Sequence, residues 1–258
     1  MSTSDRVHEL VGWLRESGRT VALTGAGVST DSGIPDFRSP RSGLWAEHDP
    51  SVVASIQGFF ADPAKFYAFW AERFGALGAA EPNLTHRVLA QLEARGLLHA
   101  IITQNIDGLH QRAGSRRVLE VHGTWKTARC TTCRTQYDTV KLLEELAPRA
   151  SRPRDLVPTC DLCGGLVKPD VVLFGEDLTE DFRDAERIVD RCELMIALGS
   201  SLGVWPVAGL APRAHQAGAR VVVINREPTG ADEEADLVIR AELREVMQRL
   251  GRELDLSR

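Results

Sequence analysis

Short, fully apolar runs alternate with helical patterns along this chain, and each run stops at a glycine or a polar side chain. Val7, Leu10, Val11 and Leu14 mark one face of a helix over Asp5–Ser17, which Gly18 ends. Thr20–Thr24 is then a short apolar strand that runs straight into Gly25-Ala26-Gly27. The alternation continues with a helix over Thr85–Arg95 and strands over His99–Thr103, Val118–Val121 and Val171–Phe174. It ends with helix Glu180–Arg191, strand Leu194–Leu198, helix Val207–Ala217, strands Val221–Ile224 and Leu237–Ile239, and a helix from about Glu242. Strands this short and apolar on both faces belong in an α/β fold, a mostly parallel sheet covered by helices on both sides. Such sheets hold ligands beyond the carboxyl ends of their strands. Gly25, Gln104, His122, Gly175, Gly199 and Asn225 stand at six such ends and define one candidate site.

With 258 residues, the chain suffices for one large domain or a major and a minor one. A net charge of −5 argues against a protein whose main task is gripping nucleic acid. Met1–Leu10 has no apolar signal-like core. Leu194–Pro212 carries no charge, but Gly199, Ser200, Ser201, Gly203, Pro206 and Gly209 interrupt it. It therefore reads as strand, turn and helix, with no membrane span expected, and the expected location is a reducing cytoplasm.

Two segments break the alternation. Arg41–Pro82 holds eight of the fifteen aromatic residues and reads as a loop plus a small helical module, its rings mostly core. Lys126–Val167 holds two C-x-x-C pairs, Cys130/Cys133 and Cys160/Cys163. Each pair can occupy two corners of a tetrahedron on one knuckle, and two knuckles close a four-thiolate structural zinc site. A redox dithiol is the alternative, disfavoured because two pairs stand in series. Cys192 is expected to be an inert core thiol. The charges around the ribbon are mixed, which suits a solvated face better than a phosphate-binding patch.

Gly25-Ala26-Gly27-Val28-Ser29-Thr30 follows a strand as a dinucleotide loop should, with backbone N–H groups open to a pyrophosphate. Thr30 stands where the third glycine of G-x-G-x-x-G belongs, and Gly33 and Pro35 end any helix early. Taken alone, an ordinary strand-to-helix turn fits nearly as well.

The continuation resembles one family. Gly25–Ser29 with Ser32-Gly33-Ile34-Pro35-Asp36-Phe37-Arg38 looks like the opening motif of sirtuins, NAD-dependent protein deacylases. Thr103–His110 is similar to their second motif and His122-Gly123 to their third. Lys168–Glu176, Gly199–Leu202 and Asn225 complete the order.

The resemblance implies a Rossmann-like NAD-binding large domain (residues 1–40, 83–125 and 168–258). It also implies a small domain made of a cofactor loop and helical module (41–82) and a zinc ribbon (126–167), with NAD and an acyl-lysine peptide entering the cleft between them. In the implied reaction nicotinamide leaves, the acyl oxygen attacks C1′ of the ribose, and a histidine deprotonates the ribose hydroxyl that takes the acyl group. The products are lysine, nicotinamide and O-acyl-ADP-ribose. His122 matches the base. Asn105 and Asp107 match residues around the nicotinamide ribose and amide. Gly25, Ala26, Gly27, Thr30, Asp36, Phe37, Arg38, Gln104 and Ile106 match the cofactor loops. Gly199, Ser200, Ser201 and Asn225 match the adenosine side, with Ala241 as an adenine contact. Val172, Phe174, Gly175, Glu176 and Val204 are implied to hold the peptide as an added strand. Desuccinylating members carry Tyr and Arg three apart in the helical module, whereas here Tyr67 is followed by Trp70, which implies neutral acyl groups. The runner-up activity is NAD-dependent protein ADP-ribosylation. The non-enzymatic alternative is an NAD-sensing or zinc-ribbon interaction module, which has no need of the base His122.

Overall fold

A computed structural model describes residues 2–37, 43–146 and 153–256. Its strands, in chain order, are β1 (Thr20–Thr24), β2 (Ala100–Thr103), β3 (Val118–Glu120), β4 (Gly123–Cys130), β5 (Gln136–Asp138), β6 (Val167–Val171), β7 (Leu194–Leu198), β8 (Arg220–Ile224) and β9 (Leu237–Ile239). Two compact units result.

The larger unit comprises Met1–Asp36, Glu81–Val121 and Thr179–Arg258. Its sheet has six strands in the order β3-β2-β1-β7-β8-β9, every adjacent pair parallel. β1 and β7 are buried along their whole length, as apolar runs covered on both faces must be. Helices Thr3–Glu16, Leu84–Ala94 and Leu243–Glu253 bring Leu10, Leu14, Leu89, Leu92 and Leu250 onto one face, against Ala22, Ile101, Ile196 and Val222. Burying each such leucine contributes about 1.5–3 kcal/mol. Helix Leu210–Gln216 lies against β7 and β8. The uncharged stretch Leu194–Pro212 is β7, a turn and the start of this helix. No helix among the described residues is long and apolar enough to cross a membrane.

The smaller unit comprises Phe37–Ala80 and His122–Leu178. It therefore includes residues 122–125 and 168–178, which the expected division gave to the larger domain. Its sheet is antiparallel, in the order β5-β4-β6. In place of the predicted strand Val171–Phe174, the structure has a strand that ends at Val171 and belongs to this small sheet. Val167, Pro169 and Val171 are buried, while Lys168 and Asp170 are half-buried, the period-two pattern of a sheet with one covered face. Consecutive apolar residues from Val171 onward mimicked a parallel strand. Helices Pro50–Val53, Ile56–Ala61 and Pro63–Ala79 form the helical module. Phe59, Phe66, Tyr67, Phe69, Trp70 and Phe74 are buried, with Phe60 exposed. Trp70 stacks on Phe74 and Phe74 on Trp125 of β4, which joins the module to the ribbon.

Candidate active site

The larger unit gathers four of the polar strand ends. β1 and β7 are neighbours from which the chain runs outward in opposite directions, so their carboxyl ends form the topological switch point of the sheet. Gly25–Ser29 follows β1, Gln104–Asp107 follows β2, Gly199–Ser201 follows β7 and Asn225 follows β8.

The two loops at the switch point pack backbone on backbone. Gly25 N–H donates to the Leu198 carbonyl at 3.1 Å and Gly27 N–H to the Gly199 carbonyl at 2.8 Å. A Cβ on Gly27 would lie 2.8 Å from Gly199 Cα, and one on Gly199 (φ +57°) would lie 2.7 Å from Val28 N. Neither position admits a side chain. This changes the physical reason for the glycines. They were expected to leave amides open to a pyrophosphate, but these two amides are already engaged, and loop-to-loop contact demands the missing side chains. Thr30 Oγ1 donates to the Gly27 carbonyl at 3.0 Å, which gives the residue in place of the third glycine a local role.

Behind the loops lies a buried polar network. Asn105 Nδ2 donates to the Gly25 carbonyl and to Ser29 Oγ, both at 3.1 Å. The Gly25 oxygen can only accept, so the Asn105 amide nitrogen must face it, and Asn105 Oδ1 remains as the end that can accept from a ligand. Ser29 Oγ donates to Asp107 Oδ2 at 2.7 Å, and Asp107 Oδ1 accepts from Leu109 N–H at 2.8 Å. Asp107 is 4% exposed, so both oxygens of a buried carboxylate have protein donors. Asn83 N–H meets His86 Nδ1 at 3.3 Å, which leaves the ring proton on Nε2, 3.5 Å from Ser29 Oγ. His110 Nε2 meets Thr24 Oγ1 at 3.0 Å and its ring packs edge-on against His86. Ser29 and His86 were not predicted as site residues. Ser29 stood inside the quoted motif, and Asn83 with His86 carried only the signal of a helix N-cap, which the structure shows as a capping box.

Burial pushes His86 down to about 4, with the Asp107 carboxylate opposing, and His110 down to about 3, with the His86 charge adding to burial. Both rings are therefore neutral in the folded chain at neutral pH. An unfolded histidine takes its proton near about 6.5, so below that pH the unfolded state binds more protons. Stability is fully present above about pH 6.5 and falls by a few kcal/mol as the pH drops toward about 4. Urea melts at pH 7.5 and pH 5 test this, with a lower midpoint expected at pH 5 and an equal midpoint contradicting it.

Gln104 Nε2 donates to Ser200 Oγ at 2.8 Å, which ties the β2 and β7 ends together. Asn225 Nδ2 donates to the Glu227 carbonyl at 2.7 Å. Ser201 is exposed, Asp36 and Ile106 are half-buried, and Ala241 packs against the main core. In the smaller unit Phe37 stacks on Trp45 with centroids 5.0 Å apart. Arg38 lies outside the described residues.

His122 occupies the turn that enters β4 in the smaller unit and is half-buried. Gly123 follows at φ +76°, and a Cβ there would stand 2.0 Å from the Asp170 carbonyl. β4 and β6 thus close on one another immediately after the histidine, which only glycine permits. Val172 N–H donates to the His122 carbonyl at 2.9 Å, so the predicted base and the predicted peptide edge share one hydrogen-bond ladder. Phe174 is already paired in parallel with Ser55: its N–H donates to the Ala54 carbonyl, and its carbonyl accepts from Ile56 N–H. Glu176 N–H donates to the Leu173 carbonyl. Among the described residues, the Val172 carbonyl and both backbone groups of Gly175 have no such partner. The edge offers alternate groups and not a continuous strand. Phe174 is exposed. Val204, in the larger unit, is half-buried with its carbonyl accepting from Ala208 N–H.

Cys130, Cys133, Cys160 and Cys163 bring their sulfurs within 4.8 Å of one another. Cys130 and Cys163 sulfurs are 3.4 Å apart, and Cys133 and Cys160 sulfurs 3.5 Å. A tetrahedral zinc with Zn–S bonds of about 2.3 Å needs sulfur separations of about 3.8 Å, so the donor set fits that ion closely. Backbone N–H groups of Cys133 and Thr132 reach Cys130 Sγ, and the Tyr137 hydroxyl donates to Cys160 Sγ at 3.1 Å. These donors hold Cys130 below the usual thiol range and bring Cys160 down to about 6, whereas Cys163, although the Gly165 N–H lowers it, is pushed up to about 12 by the neighbouring sulfurs, so without a cation the cluster favours thiolates at Cys130 and Cys160 only. Cys192, in contrast, is buried and pushed up to about 11 by that burial.

Comparison with known proteins agrees with this geometry. A family model described as the Sir2 family matches residues 25–206. NAD-dependent protein deacetylase 1 of Geobacillus kaustophilus is 42% identical over 247 residues, covering 95% of this chain and 97% of that protein. A solved Sir2 structure with deacetylated p53 peptide and 3′-O-acetyl ADP ribose superposes with a TM-score of 0.91 at 40% identity, covering 97% of this chain and 99% of that one. A Sir2 complex with p53 peptide and NAD+ gives 0.87 at 40% identity, covering 96% and 98%. The family model spans the chain from the glycine-packed β1 turn through the Asn105–Asp107 turn, the His122–Gly123 turn and the four-sulfur cluster to Pro206, and the chain belongs to the Sir2 family.

Proposed function

We propose that this chain is an NAD-dependent protein-lysine deacetylase that releases nicotinamide and O-acetyl-ADP-ribose. The observation that carries this reading is the buried network, which orients Asn105 so that its carbonyl oxygen alone is free to accept from a ribose hydroxyl. The larger unit holds NAD through the ends of β1, β2, β7 and β8. Asp107 acts from behind, holding Ser29 and the turn in place. The smaller unit supplies His122 as general base, a role that an imidazole ring nitrogen can fill by accepting a proton. It also supplies the Val172 carbonyl and Gly175 for an extended acyl-lysine peptide. In the reaction the C1′–nicotinamide bond breaks as the acyl oxygen bonds to C1′. His122 takes the proton of the ribose hydroxyl that attacks the acyl carbon, and the lysine amine leaves with a proton; one water then adds to the acyl carbon and its bond to the C1′ oxygen breaks, giving O-acetyl-ADP-ribose. Zinc would be held by the four thiolates with no open position, so its part is structural. A four-thiolate site needs reduced cysteines, which supports a cytoplasmic working location.

Acetyl-lysine peptide with NAD, followed by mass spectrometry, tests the proposal. Deacetylated peptide with O-acetyl-ADP-ribose is expected. Peptide heavier by one ADP-ribose would instead indicate the transferase activity.

Neutral acyl groups should be preferred. The Tyr67 hydroxyl donates to the Val167 carbonyl and Trp70 Nε1 to the Val53 carbonyl, so both side chains serve the core of the helical module and neither offers a charge to an acidic acyl group. Acetyl peptide should exceed succinyl peptide in kcat/KM by at least about 100-fold, the cost of an unpaired buried carboxylate. Comparable rates would contradict this.

A further inference from the structure

Lys168 sits on β6 with 13% of its side chain exposed. Its Nζ donates to the Val171 carbonyl at 2.8 Å and the Pro169 carbonyl at 3.1 Å, and pairs with Glu176 Oε2 at 2.8 Å. The same carboxylate oxygen accepts from Leu173 N–H at 2.9 Å. The three ammonium protons are thus matched by three acceptors, all within residues 169–176. A mostly buried ammonium is costly unless paired and hydrogen-bonded in this way. The chain it gathers carries the Val172 carbonyl and the Gly175 groups, and Val172 N–H binds the His122 carbonyl. Glu176 keeps 27% of its side chain exposed, so without the ammonium it would present a bare carboxylate at this edge.

We propose that Lys168 is a positioning and specificity-determining residue: it fixes the Val172–Gly175 edge for the acyl-lysine peptide and, by neutralising Glu176, keeps that edge indifferent to charge flanking the acyl-lysine. The inference rests on the deacetylase reading above. A purely structural role would require only the buried stem of Lys168, which methionine reproduces.

The test uses three acetyl-lysine peptides that differ only in having neutral, basic or acidic flanking residues. The wild-type chain should turn them over with kcat/KM values within about threefold of one another, as expected of a neutralised site. K168M should raise KM for the neutral peptide about tenfold and leave KM for NAD within about twofold, and it should favour basic over acidic flanks about tenfold at low salt. That preference should shrink as salt rises. E176Q leaves the ammonium without its carboxylate and should favour acidic flanks, and the double variant should lose both preferences. Unchanged peptide KM in K168M, an equal rise in KM for NAD, or no flank preference in either single variant would overturn the inference. The E176Q arm decides the matter if K168M does not fold. Absence of turnover by the wild-type chain on all three peptides would overturn the deacetylase reading and this inference with it.

Discussion

Replacing His122 with alanine should lower kcat for an acetyl-lysine peptide by about 10²–10⁴-fold, the usual contribution of a positioned general base. KM for NAD should stay within a few-fold, because the backbone carries the local structure. The His122 carbonyl still accepts from Val172 N–H, and the tight β4–β6 approach depends on Gly123. Circular dichroism and zinc content should match the wild-type chain. Gly123→Ala should behave differently, since its Cβ would collide with the Asp170 carbonyl and displace both β6 and the histidine. Loss of activity in His122→Ala with intact structure identifies the base, and wild-type turnover would refute the assignment.

Much of this was legible in the chain because each signal had its own physical cause. Apolar runs of four or five residues required a parallel sheet, and β9 falls on Leu237–Ile239 as the pattern predicts. The thiol spacing required a tetrahedral cage, and the sulfurs cluster as one. What was not legible depended on contacts far apart in sequence. Gly27 and Gly199 touch across 172 residues, so their reason for being glycine could not be read from the loop alone. Ser29, His86 and Asn83 meet only when the helix Leu84–Ala94 docks behind the β1 turn. The segment after Val171 misled because four consecutive apolar residues look alike whether they enter a parallel strand or leave an antiparallel one.

Removal of one zinc ligand should have the second large effect. Cys160 is buried, accepts from the Tyr137 hydroxyl and packs with Ala128, Cys130 and Val167 in a core of very few side chains. Such a small cluster cannot hold β4, β5 and the Cys160 knuckle without the metal, which typically contributes about 10–16 kcal/mol in closed thiolate sites. Cys160→Ser should therefore lose most of its bound zinc. Amides of β4 and β5 should exchange freely while β1, β2 and β7 stay protected, because their core lies in the other unit. Turnover should fall at least about 100-fold, since β4 also fixes His122. Full zinc content with wild-type exchange in Cys160→Ser would contradict the structural role of the cluster.

The path of one oxygen atom distinguishes transfer to the sugar from simple hydrolysis. An acetyl-lysine peptide carrying heavy oxygen in its acetyl carbonyl is incubated with NAD and the wild-type chain. If that oxygen attacks C1′, the label must leave with the sugar and appear in O-acetyl-ADP-ribose, with one nicotinamide released for each lysine freed. Label recovered in free acetate, with NAD unconsumed, would mean that the chain hydrolyses the amide without NAD and is not a deacetylase of this kind.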